Sequence, residues 1–418
     1  MKSTVRSLRV GAFVLLVVSR GLYAADATET PKATADPNLY RIVYGATLDP
    51  VGHRAEVRIA VRQSRQLLRH IEFLARRDRY LDVHGQGQVE TTADHIEWTP
   101  PAEGGVLHFD FAIDHVRDNG GQDARITDSW ALMKLDHVFP PAKARVLKSA
   151  QSKATLRLIA PDGWSIETPY GPAAGHIVDV ENPGAQFQRP KGWLLAGKLA
   201  VRRDVVAERR VAVGSPEGSG FRSNDVLAFV RWTLPTLVQV FPEFPPRLLI
   251  VSGPDSMWRG GLSGTGSIYL HADRPLISQN GTSTPLHEMV HVASGLHGTG
   301  GADWIVEGIA EYYSLEVLRR SNTISQERFD NGFVTLAQWS TGTKCIATDR
   351  SEGKQTANAV LVMHALDREI RTATHDQKSL DDLARTMVAA HAPVTNAAFR
   401  AAAATLISGP ATSLAQCP

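Results

Sequence analysis

Between residues 38 and 212 the chain alternates apolar and polar positions. In His53 to Arg62, Ala55, Val57, Ile59 and Val61 fall on one face, with Arg54, Glu56 and Arg58 on the other. Gly105 to Asp114 repeats the pattern with Leu107, Phe109, Phe111 and Ile113, and Ala154, Leu156, Leu158 and Ala160 form a third run. A period of two puts successive side chains on opposite faces, so these runs predict half-buried strands. Turn clusters at 100–105 and 118–121 break them at intervals suited to antiparallel sheets. Residues 38–212 therefore predict an N-terminal β-sandwich-like domain.

Gly214-Ser215-Pro216-Glu217-Gly218-Ser219-Gly220 has the composition of a linker, and the period changes beyond it. Helical spacing dominates 221–418, with helices expected near 224–240, 284–295, 303–319, 357–373, 379–391 and 395–407. Short strands are expected at Arg247 to Ser252 and Ser267 to His271. The fold class is α+β: a β domain followed by a mostly helical domain with a small sheet.

Composition narrows the function classes. With 418 residues, roughly two or three domains are expected. Lys and Arg total 45 against 43 Asp and Glu, so no polyanion-binding surface and no nucleic-acid partner are expected. The first 25 residues read as a signal peptide: Lys2, Arg6 and Arg9 precede an apolar block from Val10 to Val18, and Ala24 and Ala25 offer a cleavage site. That block is too short to span a bilayer, and a periplasmic or secreted protein follows. In an oxidising compartment the chain's 2 cysteines, Cys345 and Cys417, are expected to pair. Such a bridge would stabilise the fold by about 4 kcal/mol in the chain-entropy account.

The chemistry concentrates at His287-Glu288-Met289-Val290-His291. Two histidines four apart on a helix can reach one ion, and the Glu between them can take a proton from water activated there. Thr284 and Pro285 suit the N-cap and the first position of that helix. A zinc site with an open fourth position needs a third protein ligand. Glu307 is the favoured candidate, on a helix where Asp303, Glu307 and Glu311 share a face and Gly308 would allow close approach to the His287 helix. His297, six residues after His291, is the offset metzincins use, but Ser294 stands where they carry glycine. Asp303 is the third candidate, its setting similar to deuterolysin-like sites, and more naturally a helix cap.

His287-Glu288-x-x-His291 followed by Trp304-x-x-Glu307-Gly308-x-Ala310-x-Tyr312-Tyr313 resembles the gluzincin metallopeptidases, most closely the aminopeptidase N and glycyl aminopeptidase branches. The resemblance implies a thermolysin-like catalytic domain in 221–418 and one zinc ion per chain, held by His287, His291 and Glu307. It extends to the segment 357–383 and to Arg189-Pro190-Lys191-Gly192-Trp193, while no PDZ domain is expected. The spacing of 15 residues between His291 and Glu307 is shorter than the usual interval. Two further departures matter. The family's oxyanion-binding tyrosine maps to Thr356, and no tyrosine follows Tyr313; Tyr269, His271 and, less directly, His364 are the candidate substitutes. The family's amine-gripping Glu maps to Ser263, in Gly260-Gly261-Leu262-Ser263-Gly264. A serine offers no ion pair to a free N-terminus, so exo- and endopeptidase action both stay open.

The expected function is an exported zinc-dependent peptidase with Glu288 as general base and a peptide or protein as substrate. The alternative is a catalytically weak relative serving as a zinc-stabilised binding protein, and an amidase or esterase using the same water chemistry is also open.

Overall fold

The structure is a computed structural model that describes residues 36–418 except 119, 183–186, 345, 346, 416 and 418. The expected signal segment and Cys345 lie outside the described residues. Cys417 carries no free thiol.

Three sheets build the N-terminal half. The first has six strands in the order 177–180, 151–159, 39–49, 54–62, 104–112 and 80–85. Residues 39–49 and 151–159 pair in parallel and the other neighbours antiparallel. Each long run predicted from alternation is one of these strands, and Tyr44, Val57, Ile59, Phe109 and Phe111 are buried beneath them. A four-stranded sheet (142–146, 68–74, 95–99, 88–91) and a second six-stranded sheet (171–172, 165–168, 193–197, 130–134, 122–126, 115–116) close the rest of this core.

That second sheet is buried on both faces, and this joins the two halves. Along 130–134 and 193–197, Ala131, Met133, Leu194 and Ala196 face the N-terminal core. Their neighbours Leu132, Trp193 and Leu195 pack instead on Leu249, Val251 and Tyr269 of the following sheet. A period-two strand with apolar residues at every position has two hydrophobic faces to cover. Lys134 ends the outward-facing series Trp130, Leu132, Lys134. The one-turn helix α1 (Leu135–Val138) follows it directly.

The C-terminal half opens with a five-stranded mixed sheet, order 199–206, 209–216, 247–253, 267–271 and 261–264. Residues 247–253 lie parallel to both neighbours, and 261–264 is an antiparallel edge strand. The expected linker starts inside this sheet, because Gly214 pairs with Val251. Glycine and proline signalled a break, but Val211 and Val213 fix the strand by burial in the helical core.

Seven helices pack on the sheet and on one another: α2 (Ser223–Val240), α3 (Thr284–Ser294), α4 (Asp303–Arg320), α5 (Gln326–Trp339), α6 (Lys354–Ala373), α7 (Leu380–Ala389) and α8 (Asn396–Ile407). Six match the helical periodicity. The unexpected α5 is capped by the Ser325 side chain and buries Phe329, Gly332, Phe333 and Leu336, a helical spacing diluted by polar neighbours. Helix α4 is buried nearly all round, packed among α2, α3, α5 and α6. Among the described residues no helix is long and apolar enough to cross a membrane. The architecture is thus the α+β arrangement expected, a β-rich N-terminal half before a helical half with a small sheet.

Candidate metal centre

Helix α3 is framed at both ends by local chemistry. Ser283 is its N-cap, its side chain accepting from the Leu286 N–H, so Thr284 occupies the first helical turn and Pro285 costs no hydrogen bond there. Gly295 closes the helix at φ 59°, its N–H bonding the His291 carbonyl. Leu286, Met289, Val290 and Ala293 anchor α3 in the core. His287 and His291 project from the other face toward α4.

The structure brings His287, His291 and Glu307 together. Nε2 of His287 and Nε2 of His291 are 3.1 Å apart, and the Glu307 carboxylate oxygens lie 3.3 and 3.4 Å from them. A tetrahedral zinc with bonds of about 2.0–2.1 Å separates its ligand atoms by roughly 3.3 Å, so this triangle fits that ion. A tetrahedral ion held by three protein ligands would keep a fourth position for water or substrate. On the far side of the ring, Nδ1 of His287 donates to Glu311 Oε2 at 2.9 Å, and Ser314 holds that carboxylate in turn. A carboxylate behind a histidine in this way fixes tautomer and ring orientation for metal binding.

Burial and the neighbouring charges set the protonation of these groups. Burial opposes the His287 imidazolium, but Glu307 and Glu311 outweigh it and raise its pKa well above the ordinary value. Burial and the charge of His287 push His291 down to about 4. Glu307 is held below the usual carboxylate range by the two rings, against the opposing effect of burial. Burial raises the Glu288 carboxyl, Glu307 adding to it, while His287 and Lys134 oppose. A raised carboxylate pKa in an enclosed site suits a group that must take up and return a proton.

Glu288 reaches this position because the edge strand lies against α3. A Cβ at position 261 would sit 2.7 Å from Glu288 Cγ and 2.7 Å from Thr284 Cγ2, so glycine is what the approach allows. The Ser263 N–H bonds the Glu288 carboxylate, and the Ser263 carbonyl accepts from Lys134 Nζ at 2.8 Å.

The other candidates are elsewhere. His297 is solvent-exposed and outside the group. Asp303 does not cap α4 but accepts from the Ser351 N–H at 2.7 Å. Gly308 faces α6 rather than α3: a Cβ there would lie 3.0 Å from that of Ala359. Tyr269 is fully buried, donating to the Trp258 carbonyl at 2.7 Å and packing on Trp193. His271 is buried beside Asp255 and Asp273, with Arg259 on the same carboxylates. His364 stacks on Phe333, and Thr356 Oγ1 pairs with Ser351 Oγ at 3.2 Å. None of the expected tyrosine substitutes hydrogen-bonds to the group around His287. The roles of two residues are not legible in the sequence alone. Glu311 carried a usable signal, one helical turn beyond Glu307, whereas Lys134 lies in the other half of the chain and carried none.

No protein-family model and no curated protein matches the sequence. Solved structures do. An aminopeptidase N family protein from Idiomarina loihiensis superposes with TM-score 0.63 at 14% identity, over 84% of this chain and 70% of that one. Legionella pneumophila aminopeptidase A, solved in complex with aspartic acid, gives TM-score 0.57 at 12% identity over 90% of this chain, which spans about half (49%) of that protein. Native yeast LTA4 hydrolase gives TM-score 0.55 at 11% identity, covering 90% and 67%. What these likenesses show is a fold: the chain shares with these proteins an N-terminal β domain followed by a mostly helical domain.

Proposed function

We propose that the protein is an exported zinc-dependent peptidase, in which His287, His291 and Glu307 hold one zinc ion and Glu288 is the general base. The observation that carries this reading is the convergence of the two Nε2 atoms, 3.1 Å apart, on the Glu307 carboxylate, whose two oxygens lie 3.3 and 3.4 Å from them, with Glu288 one residue along the same helix. Zinc bound there would supply an activated water and polarise the scissile carbonyl.

The chain's own groups then do the following. Glu288 takes a proton from the attacking water and delivers it to the leaving amine. Glu311 holds the His287 ring so that Nε2 points at the ligand triangle. The edge strand Gly261–Gly264 lies beside Glu288 and holds it, the Ser263 N–H bonding the Glu288 carboxylate. The segment 1–25 directs export to the periplasm or the medium, the compartment in which Cys345 and Cys417 would pair.

Incubating the zinc-loaded mature protein with a diverse peptide pool, beside Glu288→Ala, tests the reading. Products from the wild type alone support it. The binding-protein reading is favoured by one feature: Thr356, its hydroxyl paired with Ser351 at 3.2 Å, falls where the resemblance puts the oxyanion-binding tyrosine. Missing one such donor costs about 10²–10³ in rate. Zinc at one per chain with no cleavage by either protein would select that reading.

A further inference from the structure

A cation from the other half of the molecule reaches the edge strand Gly261–Gly264. Lys134 ends the strand Trp130–Lys134 on the face that meets the C-terminal sheet, a direction set by alternation with Ala131 and Met133. Its ammonium donates to the Ser263 carbonyl at 2.8 Å and lies 5.2 Å from the centre of the Trp193 ring. An ammonium has three donors, and this bond uses one.

No carboxylate among the described residues forms an ion pair with it. The acids whose charge reaches it are each engaged elsewhere. Asp136 accepts from the Gly192 N–H at 2.7 Å and lies 3.6 Å from Arg189. Asp123 pairs with His115 at 2.6 Å. Glu288 takes the Ser263 N–H beside the ligand triangle. Burial disfavours the charge on Lys134, and Arg117, stacked on Trp258, adds repulsion. An ammonium kept in such a place with donors to spare is favourable ground for an anion and hostile ground for a second cation. At the same position, Ser263 supplies no negative charge to receive a free amine.

We propose that Lys134, acting with the Gly261–Gly264 strand, forms an anion-recognising subsite beside Glu288, so that the protein prefers peptides presenting a carboxylate there over peptides presenting a free α-amine. This rests on the peptidase reading and specifies its substrate class. The carboxylate comes from an acidic side chain or from a peptide C-terminus, and the probes separate the two.

The experiment measures binding by calorimetry to zinc-loaded Glu288→Gln, which removes turnover. Four probes are used: acetyl-alanyl-glutamyl-alaninamide, its glutaminyl isostere, that isostere with a free C-terminal carboxylate, and that isostere as the amide with a free N-terminus. At least one carboxylate probe should bind about tenfold more tightly than the neutral isostere, with the free-amine peptide weakest. Adding Lys134→Met should erase the difference, Lys134→Arg should keep it, and Lys134→Glu should move the preference to the free amine. Retained zinc stoichiometry and circular dichroism identify folded variants, and the arginine variant keeps the test decisive should methionine fail to fold. Equal binding of all four probes, a preference that survives Lys134→Met, or no binding at one zinc per chain overturns the subsite. Cleavage of the peptide pool by the wild type judges the peptidase reading separately, since it needs no carboxylate preference.

Discussion

Nδ1 of His287 is 2.9 Å from Glu311 Oε2, while Nε2 of the same ring is 3.3 Å from Glu307 Oε2. One helix, α4, thus presents two carboxylates a turn apart to the two nitrogens of one imidazole on α3. The first is placed to share an ion, the second to orient the ring.

Glu311→Ala should therefore weaken zinc binding by about 10–100-fold without removing a ligand. Competition against a chromophoric chelator measures this directly. An unchanged affinity would show that the ring needs no support from Glu311.

Gly261 is the contact through which the edge strand meets Glu288. In Gly261→Ala the new Cβ would fall within 2.7 Å of Glu288 Cγ, so either the strand or the carboxylate must move. Turnover should drop while zinc stoichiometry stays at one, because His287, His291 and Glu307 are untouched. A displacement of about 1 Å at a reacting group costs on the order of 10²-fold in rate. Peptide cleavage alongside metal analysis separates this from loss of the site.

Gly308 lets α4 and α6 touch. Gly308→Val brings its side chain against Ala359, whose Cβ and backbone already lie 3.0–3.3 Å from a Cβ at 308. Overpacking of this kind destabilises by about 1–3 kcal/mol. Denaturant midpoints should show the loss and partial recovery in the double variant Gly308→Val, Ala359→Gly, since the two sites share one contact. Additive losses would place the strain elsewhere.

His137 on α1 gives a pH prediction away from the metal centre. Burial, helped by Arg79 and Lys134, pushes its pKa down to about 4, and its buried Nδ1 has no hydrogen-bond partner among the described residues. The unfolded chain binds the proton more readily, so the neutral ring's contribution is complete above about pH 6.5 and disappears as the pH falls to about 4. Over that window the wild type should lose up to about 3 kcal/mol through this one group. His137→Leu should remove that part of the decline. Parallel urea titrations at pH 7 and pH 4.5 check it; an identical decline in both proteins would exclude His137 as a source.

Much of this molecule is local and was legible in the chain. Period-two alternation located the long N-terminal strands, and period 3.6 located six of the seven large helices, because both signals arise from covalent geometry and burial along one element. The same local rule set His287, Glu288 and His291 on one helix, and it put Glu307 and Glu311 on one face of another. Where expectation and structure part, a neighbour distant in sequence is responsible. Gly308 reads as a point of close approach, but only packing says that the partner is Ala359 on α6 and not α3. Gly214 reads as a linker until its pairing with Val251 places it in a sheet.

Tertiary structure alone decided the rest. That the imidazoles and the Glu307 carboxylate converge to 3.1–3.4 Å depends on how α3 packs against α4, which involves contacts the whole way round a buried helix. That Lys134 reaches Ser263 depends on a strand whose two faces serve two cores, bringing together residues 129 positions apart. A sequence fixes the order and the faces of its elements through short-range stereochemistry. It leaves to the summed burial of many distant side chains which faces meet, and a site assembled at such a meeting appears only once the chain is folded.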